Sequence, residues 1–303
     1  MTRLIPALFA VAVLAACSPD EELPPLLDTQ PALPDGMTGL RELSGGGDCP
    51  ALAMPGAVTM QTGGGPRQVT WLFDPATEAP SGGRPLLMVF HGLGATGRSM
   101  VPRMQLDALV QAGAVVAVPE GIRTAKFGWG AGPKGLHDVM LVEDMRRCAH
   151  DRLGVDLARV HATGFSAGGL WTTLLVMHGS ELLASATIFS GGDLPPFVNY
   201  VTPAIDVPSL IVWGGPTDVY RSRGFDVSFH GAALRVSEAM QRDGHFVVRC
   251  NHGRGHVLPA DYSSLMHQWT LGHTFGRPSP LTHWTAESLG KGCEVLPPGG
   301  ARP

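Results

Sequence analysis

The sequence predicts an α/β fold: a mostly parallel central sheet with helices on both faces. Three observations predict it. Short, continuously apolar runs recur from residue 68 onward, and longer stretches with helical patterning separate them. Strands that are apolar throughout, rather than alternating, are those buried on both faces. The chain has 303 residues, 44% of them hydrophobic and 16% charged, with no internal repeat, which suits one large core.

Taken in order, residues 69–73 and 86–90 read as strands, and 100–111 as a helical stretch. Residues 114–118 form a strand stopped by Pro119, and 139–152 a helix with Asp138 placed to cap its start. A strand over 159–163 leads into a glycine-rich turn and a helix from Ala167 to about His178. Strands at 186–189, 210–213 and 246–249 complete the sheet, with helical stretches at about 231–242 and 261–272.

The first residues stand apart from this pattern. Arg3 followed by an apolar stretch of about 13 residues, too short to span a bilayer, reads as a secretory signal over residues 1–16. Leu14-Ala15-Ala16-Cys17 resembles the bacterial lipobox, whose cysteine is lipidated. Residues 17–48, rich in proline from Pro24 to Pro34, are expected to form a flexible tether, with one catalytic domain over 49–303. The protein is thus expected to be exported and held at a bacterial membrane by a lipid on Cys17. Four cysteines remain: Cys49, Cys148, Cys250 and Cys293. In an exported chain they predict two disulfides, with three connectivities open. A formal net charge of −4 offers no basic field for nucleic acid.

The chemistry centres on Gly164-Phe165-Ser166-Ala167-Gly168, which fits G-x-S-x-G. The pattern is common by chance in a glycine-rich chain, but here a β-rich run precedes it and a helical run follows. That context puts Ser166 on a strained strand-to-helix turn as a nucleophile, where glycines avoid clashes. A serine near neutral pH needs a base and an orienting acid. Asp218, on the loop leaving the strand at 210–213, is the preferred acid; Asp193 and Asp226 are rivals. Of His252 and His256, both after the last parallel strand, His256 is the preferred base and His252 the structural residue. A zinc pair from these two histidines lacks a third ligand at motif spacing.

His91-Gly92-Leu93-Gly94 follows the strand at 86–90 and matches a His-Gly oxyanion motif. Its expected donors are the N–H groups of Leu93 and Ala167. His91 and Gly92 belong to the substrate-facing loop, with His91 also fixing that loop by hydrogen bonds. Trp129 is a candidate wall of an acyl pocket, or else a packed core aromatic.

With these residues placed, the chain resembles the polyhydroxybutyrate depolymerase and feruloyl esterase-like branch of the α/β-hydrolases, from about Gly56 to about His273. The segment Leu157-Ala158-Arg159-Val160-His161-Ala162-Thr163-Gly164-Phe165-Ser166-Ala167-Gly168-Gly169 carries most of the resemblance. The resemblance implies hydrolysis of a carboxylic ester, small or polymeric, through an acyl-enzyme, with no cofactor. A serine peptidase would use the same residues, and a non-catalytic surface lipoprotein would reuse the fold for binding. Only about 20 residues join the strands ending near Phe189 and starting near Ser209, too few for a large cap domain. An open site suited to bulky or polymer-chain esters is expected.

Overall fold

A computed structural model describes residues 40–41, 43, 46–77, 79, 82–122, 128–130, 135–195, 198–222, 225–285 and 289–299. Six parallel strands form the centre of the sheet: β3 (Arg84–Phe90), β4 (Val115–Pro119), β5 (Val155–Phe165), β6 (Ser185–Phe189), β7 (Ser209–Trp213) and β10 (Val247–Asn251). Their spatial order is β4-β3-β5-β6-β7-β10. An antiparallel hairpin, β1 (Gly56–Thr62) and β2 (Gly65–Leu72), extends the sheet beyond β4. Strand β11 (Cys293–Leu296) closes the other edge, antiparallel to β10. A separate two-stranded hairpin, β8 (Val219–Ser222) and β9 (Phe225–Ser228), lies outside the sheet.

The two faces bury separate cores, and β3 shows why its sequence is apolar throughout. Leu86, Met88 and Phe90 point into one core, Leu87 and Val89 into the other. The first core is covered by α3 (Gly135–Leu153), α4 (Ala167–His178) and α5 (Phe229–Arg242), through residues such as Val142, Trp171 and Val236. The second is covered by α1 (Gly97–Arg103), α2 (Leu106–Gln111) and α6 (Ser263–Gly272), through Met100, Leu109 and Trp269. The mostly parallel, doubly covered sheet is thus the architecture that the apolar runs predict.

Several local expectations need correction. The helical stretch over 100–111 is two helices, because Pro102 has no N–H to continue the ladder and Gln105 turns left-handed at φ 52°. Helix α3 begins at Gly135, so Asp138 lies in its first turn rather than capping it. Its buried carboxylate pairs with Arg67 and accepts the Gly130 N–H at 2.5 Å. Helix α6 begins at Ser263, after a short turn over Ala260–Tyr262.

The proposed signal and Cys17 lie outside the described residues, as does most of the tether. The described end of the tether, however, is docked. Leu40 is buried against Phe275 and Ala158, and Arg41 pairs with Glu143 and Glu181. The disulfides join Cys49 to Cys148 and Cys250 to Cys293. The first fastens the incoming chain to α3, the second the edge strand to β10. Among the described residues, no helix is long and apolar enough to cross a membrane.

Candidate active site

Strand β5 ends at Phe165 and helix α4 begins at Ala167, so Ser166 occupies a one-residue turn. Its backbone is at φ 59° and ψ −118°, a region that side-chain-bearing residues rarely adopt. The turn closes only because its neighbours lack side chains. A Cβ on Gly164 would lie 2.2 Å from the Gly168 carbonyl oxygen, and one on Gly168 would lie 2.0 Å from that of Phe90. The strained turn sets the Ser166 side chain at the C-terminal edge of the parallel strands, above α4.

The neighbouring strand ends bring two more side chains to it. His256 Nε2 lies 2.9 Å from Ser166 Oγ, and His256 Nδ1 lies 2.7 Å from Asp218 Oδ1. A buried carboxylate beside Nδ1 fixes the tautomer with the proton on Nδ1, which leaves the Nε2 lone pair to accept the serine hydroxyl. Asp218 is fully enclosed, and its second oxygen accepts the Ser190 hydroxyl and the Gly214 N–H, each at 2.8 Å. Those donors supply the hydrogen bonds that a carboxylate removed from water needs.

Backbone contacts hold the acid and base loops together. The Gly255 N–H donates to the Gly214 carbonyl at 2.9 Å, so close that a Cβ on Gly214 would overlap Gly255. The His252 N–H donates to the Trp213 carbonyl, also at 2.9 Å. The imidazole of His256 is further confined by aromatic rings. It stacks on Phe229 at 4.5 Å between centroids and on Phe165 at 5.0 Å.

The rival residues stand elsewhere. Asp193 forms an ion pair with Arg235 at 2.7 Å, and Asp226 is exposed on the outer hairpin. His252 accepts the Arg254 N–H within its own loop, and burial beside Arg254 lowers its pKa. Among the described residues, no group of three or more His, Cys, Asp or Glu side chains is arranged to hold a metal.

On the opposite side of Ser166, His91 organises the loop after β3. Its Nε2 accepts the Gly121 N–H at 2.9 Å, so Nδ1 carries the proton and donates to the Gly92 carbonyl at 2.8 Å. Trp129 is 4% exposed, packs edge-on against Phe90 and donates its indole N–H to the His91 carbonyl at 2.8 Å. Trp129 thus sits in the buried core and braces the loop from behind. Gly92 lies tight behind Ser166, where a Cβ would come within 3.3 Å of the serine Cβ.

Leu93 and Ala167 line one small apolar hollow with Ser166, together with Leu170, Tyr220, Val227 and Phe229. Ala167 is the first residue of α4, so its N–H has no partner within the helix. The described part of the 190–208 connection holds only a bridge between Leu194 and Val198 and no helix. The wall over the hollow comes instead from the β8–β9 hairpin and the start of α5. Tyr220 and Val227 lie on hairpin strands of only four residues, too few to show a pattern, and Phe229 opens α5 just ahead of the helical stretch expected from about 231.

Comparison with known proteins agrees with this architecture. The crystal structure of native pOPH superposes with a TM-score of 0.60, at 17% identity over 84% of this chain and 98% of that one. A carboxylesterase from Mesorhizobium loti superposes at 0.53, with 17% identity over 71% of this chain and 99% of its own. The chain has the α/β-hydrolase fold. A curated relative, "Putative esterase NocK" of Nocardia uniformis subsp. tsuyamanensis, is 31% identical over 148 residues, 46% of this chain. The match spans 42% of that relative's length, less than half of it. No protein-family model matches the chain.

Proposed function

We propose that the protein is a serine hydrolase that cleaves carboxylic esters through an acyl-enzyme on Ser166. The observation that carries this reading is the hydrogen-bonded row Asp218–His256–Ser166, with separations of 2.7 and 2.9 Å, ending at a serine held in a strained turn. The esterase description of NocK supports the same reaction class.

The steps follow from the donor and acceptor roles. As Ser166 Oγ attacks the ester carbonyl carbon, its proton passes to His256 Nε2. Asp218 holds the resulting imidazolium through Nδ1–H. Charge developing on the carbonyl oxygen is held by the N–H groups of Leu93 and Ala167, each worth about 3–4 kcal/mol in such a role. His256 then gives its proton to the departing alkoxide. A water molecule, deprotonated by His256, releases the acid and restores Ser166.

Polyhydroxyalkanoate and feruloyl-type esters are the finer substrate classes this reading favours, on the resemblance in the 157–169 segment. Export and attachment through a lipid on Cys17 follow from the lipobox reading. Labelled palmitate entering the wild type but not Cys17→Ala in a bacterial host would support that anchor.

The deciding test of the reaction is turnover of short p-nitrophenyl esters by the wild type and Ser166→Ala. A loss of about 10⁴-fold or more is expected in the variant. Equal turnover by both proteins would overturn the role of Ser166. A wild type inactive on every chain length would favour a binding protein.

A further inference from the structure

The loop that carries the Leu93 N–H runs from His91, just after β3, to Gly97, the first residue of α1. Leu93, Gly94 and Thr96 are exposed, and nothing among the described residues accepts the Leu93 N–H. Within the loop one backbone bond is made, from the Ala95 N–H to the Gly92 carbonyl at 3.1 Å. A donor on such a span is preorganised only if both ends of the span are fixed.

One dipeptide beyond β4 holds both ends. The Gly121 N–H donates to His91 Nε2 at 2.9 Å, at the entry of the loop. One residue earlier, Glu120 Oε1 accepts the Gly97 N–H, also at 2.9 Å, at its exit. Gly97 opens a helix, so its N–H has no acceptor within α1, and a carboxylate there is favoured by the helix dipole. The approach is close: a Cβ on Gly97 would lie 2.8 Å from the Pro119 carbonyl oxygen. Met100 and Met104 seat the later part of α1 in the core, and the Glu120 bond seats its first residue.

The dipeptide is itself firmly mounted. The Glu120 N–H donates to the Gln68 carbonyl at 2.8 Å, and its own carbonyl accepts from Arg67 Nε and Nη2 at 3.2 and 2.7 Å. Arg67 is buried and paired with Asp138, whose other oxygen accepts the Gly130 N–H. Next to Gly130, the Trp129 indole holds the His91 carbonyl. A buried ion pair that takes no part in the chemistry thus reaches both ends of the loop. The bonds to Gln68 and Arg67 use the Glu120 backbone, so a change of side chain leaves them in place. Oε2 lies 3.6 Å from His91 Nε2, too far to bond. The bond to Gly97 is what the side chain contributes.

Resting on the ester-hydrolase reading, we propose that the Glu120 side chain is a positioning residue for the reaction. By holding Gly97 it closes the exit of the loop and keeps the Leu93 N–H aimed at the carbonyl oxygen as charge develops there. It acts through Gly97 and Leu93 rather than on the substrate. What the bond requires is an acceptor at the reach of a glutamate, not a negative charge.

Two conservative variants separate reach from charge. Glu120→Gln keeps an oxygen within reach of Gly97 and loses the charge, whereas Glu120→Asp keeps the charge and is one methylene too short. With p-nitrophenyl acetate, Glu120→Asp is expected to lower kcat by about 10-fold with KM within about 2-fold. That is a fraction of the loss on deleting an oxyanion donor outright. Glu120→Gln should stay within about 3-fold of the wild type. The matching p-nitrophenyl thionoacetate isolates the oxyanion contribution, because its C=S sulfur is a weak hydrogen-bond acceptor. Its kcat/KM in Glu120→Asp is expected within about 2-fold of the wild-type value, whereas a displaced base would slow both esters alike.

Three results overturn the proposal: a Glu120→Asp variant as active as the wild type, equal slowing of ester and thionoester, or a Glu120→Gln variant as impaired as Glu120→Asp. A wild type that turns over neither ester fails the hydrolase reading instead. The clamp is then read by hydrogen exchange at the Ala95 amide, which reports the order of the loop. Faster exchange in Glu120→Asp but not in Glu120→Gln supports it. Unchanged exchange, or equally faster exchange in both variants, overturns it.

Discussion

Ser190 donates its hydroxyl to Asp218 Oδ2 at 2.8 Å, behind the carboxylate and away from His256. Both side chains are buried, and Ser190 itself sits at φ 44°, just after β6. The bond therefore fixes the carboxylate from the one side that neither His256 nor water occupies. Removing it leaves only the Gly214 N–H on that oxygen, at a deficit of about 1–3 kcal/mol. Ser190→Ala is expected to lower kcat/KM for p-nitrophenyl acetate by about 10-fold with KM nearly unchanged. Ser190→Gly relaxes the backbone yet lacks the hydroxyl, so it should lose activity equally. Recovery in the glycine variant would assign the effect to backbone strain instead.

The nucleophile turn is expected to tolerate no added carbon at Gly168. A methyl there would meet the Phe90 carbonyl oxygen at 2.0 Å, and that oxygen belongs to the backbone of β3 and has no side-chain freedom to move aside. Gly168→Ala should lose about 3 kcal/mol or more, at or above the upper end of overpacking effects, and appear mainly as insoluble protein. A urea midpoint equal to that of the wild type would show that α4 can shift away from β3.

These two glycine and serine positions differ in how visible they are before folding. Gly164 and Gly168 declare themselves, because the turn needs small residues at fixed spacing around Ser166. The parallel strands are equally legible, since a strand buried on both faces has no polar alternation to hide it. Ser190 carries no such mark: its partner Asp218 is 28 residues away and reached only by adjacency of β6 and β7 in the sheet. The β8–β9 hairpin is hidden because its four-residue strands bury side chains against His256 and Ser166 rather than against the core. The break at Gln105 is half visible, in Pro102, but the left-handed turn after it depends on how α2 packs beneath β4.

Acid sensitivity should come from buried histidines outside the reaction centre. Burial lowers the pKa of His273 to about 4, between the Trp269 carbonyl and the Ser279 hydroxyl. In the unfolded chain the same group titrates near 6.5, so the unfolded state binds the extra proton first. The stability this neutral imidazole supplies is complete above about pH 6.5 and is lost as pH falls toward 4. Between pH 7 and pH 5 the loss from this residue amounts to about 2 kcal/mol. His161, whose pKa burial also lowers, adds in the same direction. Urea melts at the two pH values should show the loss in the wild type and a shallower dependence in His273→Gln. An unchanged slope in the variant would remove His273 from the account.

Phe229 is expected to matter through the base rather than through substrate fit. Its ring lies 4.5 Å from that of His256 and within 9° of parallel, so it limits the imidazole to the plane in which Nε2 faces Ser166. A stack of this kind is worth about 0.5–1.5 kcal/mol, which corresponds to roughly 2- to 13-fold in rate. Phe229→Leu keeps an apolar wall on the hollow but removes the flat surface. The same imidazole serves acylation and deacylation, so a loosened base slows both steps by similar factors and leaves the ratio of burst to steady-state rate intact. A wall that only shaped the acyl group would change KM and acylation alone. Rapid-quench or stopped-flow measurement with p-nitrophenyl acetate separates the two outcomes. Parallel slowing of both phases is the expected result, and a change confined to KM would reassign Phe229 to substrate contact.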